Sequence, residues 1–192
     1  MSKARILVFA GSTRTDSFNK KLARVALKSI ETAGGEATFL DLRDLALPLF
    51  DEDLEAASGQ PEGGKKLKAL MKSHDGFFIS SPEYNSSISG VLKNAIDWAS
   101  REVPDEKPLE CFAGKVAALV AASPGALGGL RGLVTLRSIL GNLQVLLLPE
   151  QLAVSKAFEA FNADGSLKDA RQQKTIENIA KKLVTTIEKL KA

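Results

Sequence analysis

The sequence predicts an α/β fold on a five-stranded parallel sheet with helices on both faces. Three observations lead there. Short continuous apolar runs alternate with stretches whose apolar residues recur at helical spacing. The runs are apolar throughout rather than at every second residue, as strands buried on both faces are. And several runs end in loops of glycine, serine, asparagine and proline, where an open parallel sheet places its ligands.

The elements follow in order. Ile6-Leu7-Val8-Phe9-Ala10 stops at Gly11-Ser12 and reads as the first strand. Asn19 to Thr32 sets Leu22, Ala23, Ala26, Leu27 and Ile30 on one helical face, and Gly34-Gly35 ends it. Ala37 to Leu42 is the second strand. Residues 43–60, with Pro48 and many acids, read as a connection, and Glu62 to Lys72 as a helix. Asp75 to Ser80 holds the third strand, and Pro82 to Ser89 is a loop. Gly90 to Ser100 is a helix with Val91, Leu92, Ala95, Ile96 and Trp98 to bury; residues 101–114 form another loop. Val116 to Ala122 is the fourth strand, Leu130 to Leu140 a helix, and Val145 to Leu148 the fifth strand with a polar loop after it. A last helix runs from about Leu167 to Leu190. Such alternation, with right-handed crossovers, implies a layered sheet in one domain, residues 1–192.

Composition narrows the partners. The net charge of +3 is scattered among acids, with no single-sign stripe for nucleic acid. No apolar stretch approaches membrane-spanning length, and the first apolar run is too short for a signal-peptide core. Cys111 is the one cysteine, so no intramolecular disulfide forms, which fits a reducing compartment; a cytoplasmic protein is expected.

Three loops leave strand ends. The first, Gly11 to Asn19, lies between a strand and a helix, so backbone N–H groups and the helix dipole face its mouth. Ser12, Thr13, Thr15 and Ser17 add hydroxyls, and Arg14 a guanidinium suited to phosphate; the plain reading is a hydroxyl-rich turn with Ser17 as helix cap. The second loop, Ser80 to Gly90, has Pro82 to stiffen the exit and Tyr84 as a flat face with a polar tip; alternatively it is a proline-initiated turn whose tyrosine only packs. The third, Ser123 to Gly129, has three glycines that let backbone approach a ligand, or simply make a flexible connection.

Gly-Ser-x-Arg-x-x-Ser-x-Asn after the first strand, with Pro-Glu-Tyr-Asn and Gly-Val-Leu-Lys-Asn-Ala-Ile-Asp-Trp after the third, resembles the NAD(P)H-dependent FMN reductases. That family includes quinone, chromate and azo reductases. The resemblance implies a flavodoxin-like three-layer sandwich, strand order 2-1-3-4-5, with FMN at the switch point, the position general for this fold. It implies that Ser12, Arg14, Ser17 and Asn19 hold the FMN phosphate. Pro82, Glu83, Tyr84, Asn85 and Ser86 would border the isoalloxazine, and Ser123, Gly125, Gly128 and Gly129 would close its other side. Arg101 would lie near the open flavin face, toward substrate. NADPH or NADH would supply electrons to a small acceptor, and the protein would be a homodimer or homotetramer.

Other reactive residues offer less. His74, the only histidine, suits a helix-terminal or surface role, and Cys111 has no companion metal ligands. Asp51, Glu52, Asp53 and Glu55 read as a solvated loop. No catalytic acid–base residue is expected, because the cofactor carries the reaction, and no metal site, because companion ligands are lacking. One rival reading, a receiver-like signalling domain, would need acids at the end of the first strand, where Gly11-Ser12 stands; the other is a single-electron carrier flavodoxin. Such carriers are strongly acidic, and this chain is slightly basic.

Overall fold

The apolar runs become one sheet because both of their faces find a helical layer. In the computed structural model, which describes residues 2–192, the strands are β1 (Arg5–Ala10), β2 (Glu36–Leu40), β3 (Gly76–Ser80), β4 (Val116–Ala122) and β5 (Leu146–Val154). They pair in parallel in the order β2-β1-β3-β4-β5. The helices are α1 (Phe18–Thr32), α2 (Glu52–Ser58), α3 (Glu62–Ser73), α4 (Gly90–Ser100), α5 (Leu130–Asn142) and α6 (Ala170–Leu190), with a 3-10 turn at Leu42–Leu45. Met1 of the expected domain lies outside the described residues.

Alternation along each strand divides the interior into two cores. Ile6, Val8, Phe78, Ala118 and Val120 face α1 and α6. Leu7, Phe9, Phe77, Ile79 and Leu119 face α3, α4 and α5. Trp98 is fully buried and its indole N–H donates to the Pro48 carbonyl at 2.8 Å, so a large apolar ring also satisfies its polar tip. Among the described residues no helix is long and apolar enough to cross a membrane.

Four expectations are corrected. β2 ends at Leu40, because Asp41 caps the 3-10 turn by accepting the Arg43 N–H at 3.0 Å. The acids at 51–55 are not a loop: Asp51 caps α2, accepting the N–H groups of Asp53 and Leu54, and the others fill its first turn, where the helix dipole favours negative charge. β5 does not stop at Leu148. Pro149 lacks an N–H, so the register jumps from Ala117↔Leu147 to Leu119↔Gln151, and the edge strand then continues to Val154. The last helix starts at Ala170 behind the Asp169 cap rather than at Leu167.

Candidate functional site

Parallel strands bring all their C-terminal ends to one edge, and there the three polar loops meet. They are bolted to each other as well as to the sheet. The Gly11 N–H donates to the Ser80 carbonyl at 2.9 Å, and the Ser81 N–H to the Val120 carbonyl at 2.8 Å. The Ser89 hydroxyl donates to the Gly11 carbonyl at 2.6 Å while its oxygen caps α4 by accepting the Leu92 N–H. Gly11 and Pro82 touch closely: a Cβ on Gly11 would stand 3.3 Å from the proline Cδ and 3.0 Å from Leu92.

In the first loop, Ser17 caps α1 by accepting the Lys20 N–H, and Ser12 accepts the Arg14 N–H at 3.3 Å. Both hydroxyls use an acceptor lone pair internally and keep the O–H for a ligand. α1 carries no acid in its first turn, so the positive end of its dipole is uncompensated from within the helix. Arg14 is exposed and has no ion-pair partner among the described residues. Asn19 points the other way. It is 3% exposed, and its side-chain oxygen accepts from the Ser80 hydroxyl at 2.9 Å and the Ala122 N–H at 3.0 Å, while its amide donates to the Ala122 carbonyl at 2.8 Å. It stands behind the loop and ties α1 to β3 and β4.

The second loop is a tight turn. Tyr84 and Ser87 exchange both backbone hydrogen bonds at 3.0 Å, with Asn85 at φ 51° and Ser86 at φ 65°. Asparagine tolerates the left-handed region; for serine it costs on the order of 1 kcal/mol. The turn presents Tyr84, Asn85 and Ser86 to solvent, while Pro82 is buried beneath. Glu83 faces sideways: its carboxylate accepts from the Arg131 guanidinium at 2.9 Å and from the Gly132 N–H at 3.1 Å, linking the second loop to α5. Burial alone would raise the Glu83 pKa, but those two donors outweigh it and hold the carboxyl below its ordinary value.

The third loop depends on two glycines for its shape. Gly128 (φ 63°) and Gly129 (φ 96°) are left-handed, and a Cβ on either would strike neighbours at 2.8 Å and 2.7 Å, on the β5 exit backbone and Ala121. Gly125 is different: its nearest neighbour, the Ser123 hydroxyl, is 3.7 Å from such a Cβ, so nothing in the fold demands glycine there. Ser123 accepts the Gly125 N–H at 3.3 Å, closing a small turn.

Arg101 is not brought to this mouth within one chain. It follows the last residue of α4, about 16 Å of helix from the Ser89 cap. There it clamps Glu55 at 2.8 Å and lies over the Phe50 ring. His74 is likewise distant: it ends α3, with Nδ1 on the Leu70 carbonyl and Nε2 on the Thr38 hydroxyl. A cleft of about 490 Å³ between α1 and α6 touches none of the three loops.

Two contributors escape a reading confined to glycine- and serine-rich loops. Arg131 fixes Glu83 from α5. Arg43, in the turn after β2, donates its Nε–H to the Thr13 carbonyl at 2.7 Å and lines a cleft of about 170 Å³ with Thr13, Leu42, Val91 and Asn94. The signal was available, since β2 ends on the same edge as β1, β3 and β4.

The chain is similar to known proteins over nearly its whole length. The family described as NADPH-dependent FMN reductase matches residues 4–159. An NAD(P)H-dependent FMN reductase of Pseudomonas aeruginosa is 34% identical over 189 residues, covering 97% of both chains. A 2-hydroxy-1,4-benzoquinone reductase of a Burkholderia species is 34% identical over 179 residues, covering 93% of each. The solved flavoenzyme NAD(P)H:(acceptor) oxidoreductase of Paracoccus denitrificans superposes with a TM-score of 0.82 at 34% identity, covering 98% of both chains.

Proposed function

This chain belongs to the NADPH-dependent FMN reductase family, oxidoreductases that work with FMN and NAD(P)H, and on that premise we propose that its three strand-end loops hold FMN for two-electron transfer from NAD(P)H to a quinone. One observation carries the assignment: Arg14, exposed and unpaired, at the mouth of a helix whose first turn has no acid. A phosphate there receives a guanidinium, the free hydroxyl hydrogens of Ser12 and Ser17, and loop N–H groups.

The residues divide by what they do. Ser12, Arg14 and Ser17 bind the phosphate, and Asn19 fixes the loop from behind. The backbone of Pro82 through Ser86 borders the planar ring on one side, and Ser123 and Gly125 on the other. Gly128 and Gly129 shape the third loop, and Glu83 with Arg131 holds it against the second. When bound, FMN supplies hydride acceptance from the nicotinamide and electron donation to the acceptor. N–H groups of the second and third loops offset the negative charge that reduction adds. The low side-chain profile of Ser86, Ser87 and Gly125 would leave room beside the bound ring for NAD(P)H and the acceptor in turn. Chromate, azo compounds and free flavin suit the same open face.

We place the protein in the cytoplasm, consistent with a lone buried thiol, and as a homodimer or homotetramer. The exposed apolar residues in and just after the third loop, Leu127, Leu130 and Val134, support association near the flavin. Arg101 would reach substrate only across such a boundary, since its own chain uses it to hold Glu55.

The test is a spectroscopic titration of the apo-protein with FMN and with riboflavin, followed by anaerobic NADPH and then a benzoquinone. FMN should bind far more tightly than riboflavin, NADPH should bleach it, and the quinone should restore its colour. Equal affinity for both flavins, or no bleaching by either NADPH or NADH, would overturn the proposal.

A further inference from the structure

We propose that Arg43 is a positioning residue that presets the first loop for its phosphate, an inference that rests on the FMN reading of that loop. In a trans peptide the C=O and the following N–H point in opposite directions in one plane. Arg43 Nε–H holds the Thr13 carbonyl at 2.7 Å on the β2 side of the loop. The next N–H, that of Arg14, is thereby turned to the opposite side, where it meets the Ser12 hydroxyl at 3.3 Å. A long bond of that kind is easily exchanged for a phosphate oxygen.

Arg43 is itself anchored. Its own N–H donates to Asp41 at 3.0 Å, and the other Asp41 oxygen accepts from Lys20 Nζ at 2.6 Å. Lys20 is buried in the first turn of α1, directly after the loop. The turn after β2 therefore grips the loop twice, through Thr13 near its start and through Lys20 at its end. The result is an orientation fixed before ligand arrives, which lowers the ordering cost of binding.

The side chain permits a clean separation of position from charge. Glutamine Nε2 lies the same number of bonds from Cα as arginine Nε, so Arg43→Gln keeps a donor there without the charge. Arg43→Lys keeps the charge and puts a methylene at that position. FMN and riboflavin affinities of the apo-protein are measured for wild type, Arg43→Ala, Arg43→Gln and Arg43→Lys, with hydrogen exchange of the Arg14 amide. We expect Arg43→Ala and Arg43→Lys to bind FMN about tenfold more weakly, Arg43→Gln to stay within about threefold of wild type, and riboflavin binding to hold within about twofold. The Arg14 amide should exchange faster in the alanine and lysine variants. FMN affinity unchanged in Arg43→Ala, equal losses for both flavins, or rescue by lysine and not glutamine would each overturn the role. If the alanine variant does not fold, the glutamine and lysine pair decides in the same terms. Wild type that binds no FMN would overturn the function proposed above, while exchange at the Arg14 amide would still report whether Arg43 sets the loop.

Discussion

The Ser80 hydroxyl donates to the Asn19 side-chain oxygen at 2.9 Å, joining the last residue of β3 to the first turn of α1. The same carboxamide serves Ala122 at the end of β4 through two further bonds. Removing it strands buried backbone groups that water does not reach. Asn19→Ala should therefore destabilise the apo-protein by about 2–4 kcal/mol. Denaturant unfolding measures it; a loss below about 0.5 kcal/mol would mean that Asn19 is no bolt.

Arg14 offers the opposite case. It lies exposed, and its side chain has no partner among the described residues, so Arg14→Ala should leave apo-protein melting unchanged while weakening FMN by about 1.5–3 kcal/mol, the worth of a charged hydrogen bond. Riboflavin affinity should not move. An unaltered FMN titration would remove Arg14 from the phosphate site.

Glu83 sets a pH dependence. Its side chain is 9% exposed, and although burial would raise its pKa, the Gly132 and Arg131 donors bring it below the ordinary 4.5. A depressed carboxyl stabilises the fold fully above its unfolded pKa and loses that contribution as pH falls through the folded value. Wild type should therefore exceed Glu83→Gln in stability at pH 7, and the difference should close as pH drops below about 4.5. A difference that stays constant from pH 7 to pH 3 would contradict the link.

Cys111 should be nearly inert. Burial pushes its thiol up from 9.0 to about 11, cutting the thiolate at pH 8 by about 100-fold. Iodoacetamide should label the native protein at least that much more slowly than the urea-unfolded chain. Rapid labelling of the native form would show that the interior around Cys111, whose thiol lies 3.9 Å from the Lys68 carbonyl, opens.

What could be read in advance follows burial. β1, β3 and β4 are legible because two helical layers cover them and their residues are apolar throughout. β5 is an edge strand, half-exposed, and Pro149-Glu150-Gln151 disguises its second half as a loop. α2 buries no residue, so it leaves no apolar stripe, only the Asp51 cap and first-turn acids. The loops of the site were legible from composition at strand ends. Side-chain direction was not: a sequence fingerprint places Asn19 and Glu83 in the loops but does not show that one faces the sheet and the other α5. The Arg43–Thr13 bond spans 30 residues and joins two loops whose proximity comes only from the pairing of β1 with β2.

Assembly finds no free apolar face on α4, which uses Leu92, Ala95, Ile96 and Trp98 in its own core. α5 buries Leu133, Leu136 and Leu140 but leaves a second apolar face: Leu130 and Val134 lie one turn apart, 40% and 63% exposed, with Leu127 near them at 51%. These residues adjoin the third loop and, through Arg131 and Glu83, the second. A partner covering them would sit against the flavin site and help exclude water from it. Wild type should be dimeric or larger by light scattering at micromolar concentration. Val134→Glu should shift it toward monomer, because a carboxylate buried against an apolar partner costs several kcal/mol. Its melting as a monomer should match the fold, and its FMN affinity should fall without any change in Arg14. A monomeric wild type, or a Val134→Glu variant that assembles unchanged, would show that this face meets no second copy.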